Sequence, residues 1–235
     1  MTISQNVYIE INKLINHLDT FNDHGFIPCD IKTSGQNYHH SRDAALIICS
    51  LVNLVKMDKI KFNATIHIFL HYLHFENKIC KGVEDGCIPP HMFNENGTPI
   101  LNLSSSVVEY DTLALRLLAF CQVYELFKVN NSEHLLVSVL FNSSMISKYV
   151  KLICKIYNVP CYDMWGKEFG IHYSNVKLYE MALTSSLELG DNFYIYALKN
   201  DTKSSLIDIN NILNRFNDKI YAENDLFDII IPTLK

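Results

Sequence analysis

The sequence predicts an all-α fold of paired antiparallel helices, and three observations carry that expectation. Apolar residues recur three and four apart along stretch after stretch, the period of a helix rather than a strand. One stretch, about 43–56, is apolar on most sides through Ala45, Leu46, Ile47, Ile48, Leu51, Val52 and Val55, which marks an inner helix wrapped by others. Between the stretches stand loops punctuated by Gly, Pro, Asn and Asp, which suits helices folded back on one another.

Composition sets the bounds. With 235 residues, 49% hydrophobic and 19% charged, the chain is long enough for one domain, residues 1–235, with a sizeable core. A net charge of -5 offers no basic field to nucleic acid or an anionic membrane surface. The first residues interleave apolar groups with Gln5, Asn6, Glu10, Asn12, Lys13 and Asn16, so they lack the apolar run of a signal peptide, and no later segment is apolar enough to cross a membrane. The expectation is an intracellular, cytoplasmic protein. Seven cysteines are dispersed singly, without a Cys-x-x-Cys pair, and read as buried thiols in a reducing compartment.

The elements follow in order. Val7, Ile11, Leu14, Ile15 and Leu18 predict an amphipathic helix over about 4–19, and Asp19, Asn22, Asp23 and Gly25 stop it. A loop over 20–41 leads into the inner helix at 43–56. The next helix, about 64–75, carries His67, His71 and His74 on one face. With Glu76 or Cys80 they would offer zinc a ligand set. Histidines bordering an apolar face are the simpler reading, since no HExxH-type pattern is present. No metal and no cofactor is therefore expected. A long loop over 78–106 follows, of the length that carries function inside compact domains. Further helices are expected over about 110–127, 145–157, 174–189 and 204–216. The state of 133–141 and of 193–198 is left open, and the apolar tail from Tyr221 to Lys235 wants a partner surface.

Four stretches share a pattern. Residues 161–173 contain Tyr162, Asp163, Trp165, Gly170, His172 and Tyr173, and Ala182-Leu183 lies in the helix beyond. This resembles the active-site loop of the glucoamylases (glucan 1,4-α-glucosidases, glycoside hydrolase family 15), Tyr-Asp-x-Trp-Glu-Glu before a Gly, an aromatic and a helix. Asn37-Tyr38-His39-His40-Ser41-Arg42-Asp43-Ala44-Ala45 is similar to the family's aromatic-Tyr-x-Trp-Thr-Arg-Asp-x-Ala, with His40 where the family keeps a tryptophan. His91-Met92-Phe93-Asn94-Glu95-Asn96-Gly97-Thr98 resembles Pro-Lys-Phe-Asn-x-Asp-Gly-Thr. The stretch from Glu109 to Arg116 resembles the start of the Gln-Asn-Asp-x-x-Ala-Leu-Arg helix. Between the last two the family places Trp-Gly-Arg-Pro, and this chain has Ser105-Ser106-Val107-Val108.

The resemblance implies an (α/α)6 toroid, six outer and six inner helices around a pocket, of which this chain corresponds to about the first half. It implies a sugar-binding surface of Tyr38, Arg42, Asp43, Asp111 and Trp165, a guanidinium and carboxylates being suited to a sugar's hydroxyls. The family's general acid follows the tryptophan, and here that residue is Gly166; the general base falls in the half this chain does not contain. An inverting glycosidase needs both carboxyl groups. The reading is a six-hairpin glycosidase relative, exo-acting on α-1,4-linked glucose by family, with hydrolysis lost or severely impaired and weak binding of glucose or an α-glucan retained. Two alternatives stand beside it. Glu168, two residues on, is the displaced acid of an active α-glucosidase; or the chain is a non-catalytic helical interaction module, whose exposed inner helices such as 43–56 favour a homo-oligomer or a partner chain.

Overall fold

The all-α fold expected from the pattern is present in a computed structural model, which describes residues 13, 15–16, 27, 38–81, 86–100, 109–136, 144–162, 168–189 and 196–216. Six α-helices run through these residues: α1 (Ser41–Lys56), α2 (Ile66–Lys81), α3 (Tyr110–Val129), α4 (Ser144–Ile156), α5 (Tyr173–Glu188) and α6 (Tyr196–Phe216). Of the first helix expected from the sequence, Lys13, Ile15 and Asn16 are helical and the rest lies outside the described residues, as does the tail from Tyr221 to Lys235. The fold is all-α, and among the described residues no helix is long and apolar enough to cross a membrane.

α3 is the axis of the packing. From Asp111 to Val123 every residue is buried, so over that stretch the helix has no solvent face. A helix covered on all sides belongs inside others. α1 and α5 pack on either side of it, while α4 touches α2, α3, α5 and α6 from outside. α1 meets this core with Ala44, Ala45, Ile48, Leu51 and Val52, all fully buried. Each fully buried Leu, Ile or Val contributes about 1.5–3 kcal/mol of transfer free energy.

The inner helices α1 and α3 end alike without glycine. Asp58 and Asn131 take left-handed φ of 56° and 52°. Lys59 N–H then reaches back to Leu54 O at 2.9 Å, and Ser132 N–H to Phe127 O at 2.8 Å. These are the six-to-one bonds of a Schellman stop, which Asp and Asn tolerate better than other non-glycine residues.

Two helices differ from their expected bounds. α2 continues to Lys81, because Phe75, Glu76, Asn77, Ile79 and Cys80 keep a buried face past the expected end at 75. α6 begins at Tyr196 rather than 204 and absorbs the end of the segment left open. Its inward face, Leu198, Thr202, Ser205, Ile209 and Leu213, has helical spacing, but two members are polar and masked the apolar period. Thr202 Oγ1 donates to Leu198 O at 2.7 Å, so its hydroxyl is satisfied within the helix. Part of 133–141 is a 3-10 turn, Glu133–Leu136. The six described cysteines are free thiols, and Cys29 lies outside the described residues.

Two short antiparallel ribbons, which the sequence did not predict, tie the loops to the helix starts. β1 (His39–His40) pairs with β2 (Met92–Phe93), His39 opposite Phe93 and His40 opposite Met92. β3 (Cys161–Tyr162) pairs with β4 (Phe169–Gly170) just before α5. Phe93 is anchored against Phe75 and Ile79 of the extended part of α2.

Candidate functional site

The first turns of α1 and α3 carry Arg42, Asp43 and Asp111, and the β1–β2 ribbon holds a third segment against them. α1 has no side-chain cap; instead its Ser41 N–H donates to the backbone oxygen of His91 at 2.8 Å. A helix start leaves N–H groups in need of acceptors, and here the loop supplies one. That bond, with the ladder, sets His91 beside His40, ring centroids 5.4 Å apart.

Arg42 crosses from α1 to α3. Its Nη2 donates to Asp111 Oδ1 at 3.0 Å, and its Nε lies 2.8 Å from Oδ2. This forked ion pair suits the planar guanidinium. The same Nη2 is 3.2 Å from Glu109 Oε2, to which Thr112 Oγ1 is 3.4 Å away. His40 Nε2 stands 3.7 Å from that carboxylate oxygen, and His40 Nδ1 stands 3.9 Å from Asp43 Oδ2. The group thus gathers three carboxylates, two imidazoles and one guanidinium.

Burial grades the group. The Asp111 side chain is only 1% exposed and that of Asp43 is 47%. Burial pushes the Asp111 carboxyl above its ordinary 3.8, with Arg42 opposing and Glu109 adding to the rise. Burial likewise lowers His40 below 6.5, with Asp43 and Glu109 opposing, so its imidazole is held neutral.

Of the expected sugar-binding residues, Arg42 and Asp111 are brought into direct contact. Asp43 borders them through His40, and Tyr38 is half-buried immediately before β1. Trp165 and Gly166 lie outside the described residues. Glu168 is exposed directly ahead of β4. The hairpin around it is tied to α5, since Asn175 Nδ2 donates to Tyr162 O and to Cys161 Sγ, both at 3.2 Å. Tyr162 and Phe169 stack edge to face across it at 5.4 Å. Nothing in the local sequence gives a role to His91 or Glu109: His91 joins the group through the pairing of β1 with β2, and Glu109 through the packing of α3 on α1. His67, His71 and His74 form no three-ligand cluster with one another, and the sole such cluster among the described residues is His40, His91 and Glu109.

Beneath the site lies a second polar group. Arg116 Nε donates to Glu76 Oε2 at 2.6 Å, His39 Nε2 stands 3.6 Å from Glu76 Oε1, and the guanidinium sits 4.9 Å over the Tyr149 ring. All four residues are buried.

No family model matches the chain, and no curated protein does. Among solved structures it is similar to a wild-type glycosidase, at 11% identity over 91% of this chain and 59% of that one, with a TM-score of 0.61. A glucoamylase from Hormoconis resinae is similar at 15% identity over 78% of this chain and 34% of that one, with a TM-score of 0.54. The chain therefore spans less than two thirds of the length of either. At such identities the likeness concerns the fold, and the fold of this chain is the all-α, glycosidase-like one.

Proposed function

We propose that this protein is a glucoamylase-type member of the glycoside hydrolases that has kept part of a sugar-binding surface and lost hydrolysis. The observation that carries the reading is the meeting of Arg42 and Asp111 across the first turns of two inner helices, beside Asp43. Donors and acceptors fixed at that place suit the hydroxyls of glucose or the end of an α-glucan. The acid position of the resembled motif holds Gly166, which has no proton to give. Without acid assistance a glycosidase forfeits about 10²- to 10⁴-fold in rate.

Glucose release from maltose and soluble starch tests it, with Glu168→Gln in parallel. The expected result is no enzyme-like release from either protein, with maltose binding weakened by Arg42→Gln. Release by the parent that Glu168→Gln abolishes would instead make Glu168 the displaced acid. Against that outcome stands the exposure of Glu168, since glycosidase acids work from desolvated surroundings.

The interaction-module reading draws on Phe169 and Ile171, 68% and 40% exposed at β4. It does not draw on the core-facing side of α1, which is covered. Light scattering that returns a monomer at every concentration would remove a self-associating module.

A further inference from the structure

We propose that His40, His91 and Glu109 form a binding site for a late first-row divalent cation, with zinc the ion of choice. One ligand atom from each lies within 4.8 Å of the other two. The three come from separate segments, β1, the loop entering β2, and the residue ahead of α3, so strand pairing and helix packing rather than local sequence bring them together. The inference does not depend on the carbohydrate reading.

The donor set selects the class of ion. Two imidazole nitrogens and one carboxylate oxygen suit zinc, nickel or copper, whereas calcium and magnesium want oxygen throughout. Bonds of about 2.0–2.1 Å to a tetrahedral zinc place neighbouring ligand atoms about 3.3 Å apart. His40 Nε2 and Glu109 Oε2 are already 3.7 Å apart. The remaining closure falls to His91, which sits on the loop entering β2.

Outer partners are in place. Ligating histidines usually turn their second nitrogen toward a carboxylate, and ligating carboxylates are themselves hydrogen-bonded. Here Asp43 Oδ2 faces His40 Nδ1 at 3.9 Å, while Arg42 and Thr112 hold Glu109. Charge points the same way. Asp43, Glu109 and Asp111 oppose the single guanidinium of Arg42. A divalent cation offsets that excess. Three protein ligands leave a tetrahedral ion one open position, to be filled by water or by a hydroxyl of a bound molecule.

The experiment is a zinc titration of the chelator-treated full chain by calorimetry, with cobalt absorbance as the readout of coordination. One ion per chain is expected, with micromolar or tighter affinity. Removing an outer partner of a metal site typically costs about 10- to 100-fold in affinity, so loss of a ligand in His91→Ala is expected to cost at least about 100-fold. His74→Ala, on an exposed position of α2, should bind like the parent. Glu109→Gln keeps the side-chain shape, and zinc should raise the melting temperature of the parent but not of this variant. Absence of zinc binding to the parent overturns the proposal, as does binding of unchanged affinity in both His91→Ala and Glu109→Gln.

Discussion

His39 and His40 are neighbours in one short strand, and they enter two opposite kinds of charge cluster. Successive side chains of a strand point to opposite faces, so one ring goes down into the core and the other up to the helix starts. Below, His39 accepts from Ile27 N–H through Nδ1 at 3.3 Å and turns Nε2 toward Glu76, which is already bound by Arg116. One carboxylate, one guanidinium and a neutral imidazole balance. Above, three carboxylates meet one guanidinium, and the cluster opens to water on its Asp43 side. A balanced, sealed group serves the fold, whereas an unbalanced, accessible one is where a ligand gains most.

The largest effect should come from breaking the balance below. Glu76→Gln keeps the shape and leaves the Arg116 charge buried without its partner, which costs about 3–5 kcal/mol in denaturant unfolding. Replacing the pair together, Glu76→Leu with Arg116→Met, should recover most of that loss, because an apolar pair of similar volume does not require desolvated charge. A double variant no more stable than Glu76→Gln would show that the pair does more than neutralise itself.

Acid probes the same group. Burial lowers His39 below its ordinary 6.5, with Glu76 opposing. For Glu76, burial pushes the pKa up, but Arg116 and His39 outweigh it and leave the group below 4.5. In each case the unfolded chain binds the proton more readily. The His39 contribution is complete above 6.5 and is lost as pH falls through the folded value; that of Glu76 is complete above 4.5 and is lost below it. His40 acts in the same direction as His39, and Asp111, raised above 3.8, acts in the opposite one at lower pH. Stability measured by denaturant should therefore decline from near 6.5 downward, and a flat profile there would deny His39 its neutral, buried state.

Asp111→Asn is the matching change above. Arg42 would lose its forked charged partner but keep Glu109 and contact with water, so the cost falls to about 1.5–3 kcal/mol, the range for hydrogen bonds to charged groups. A loss as large as that of Glu76→Gln would erase the distinction between the two clusters.

Much of this fold was legible in sequence, because burial writes itself as period. The apolar run around Leu51 located an inner helix and the one around Leu117 a further helix, and the motifs around Arg42 and Asp111 named two residues that the packing of α1 on α3 brings into contact. What stayed hidden was polar or long-range. Thr202 and Ser205 conceal the start of α6, and Glu76 conceals the continuation of α2, because a buried ion pair looks like a surface charge in a string of letters. The juxtaposition of His91 with His40 required the register of a two-residue ribbon, which no local pattern announces.

The smallest effect belongs to Asp43, the outermost member of the upper cluster. It lies in the first turn of α1, where a carboxylate favours the helix dipole by about 0.3–1 kcal/mol, and its exposure leaves that contribution open to salt. Its 3.9 Å approach to His40 adds little while the imidazole is neutral. Asp43→Asn should therefore cost no more than the dipole term in low salt and less in high salt. Because Asp43 opposes the lowering of His40, the same change should drive the His40 pKa further down, read from its imidazole proton shifts by NMR. An unmoved His40 together with a loss of several kcal/mol would place Asp43 with the structural charges below rather than with the open cluster above.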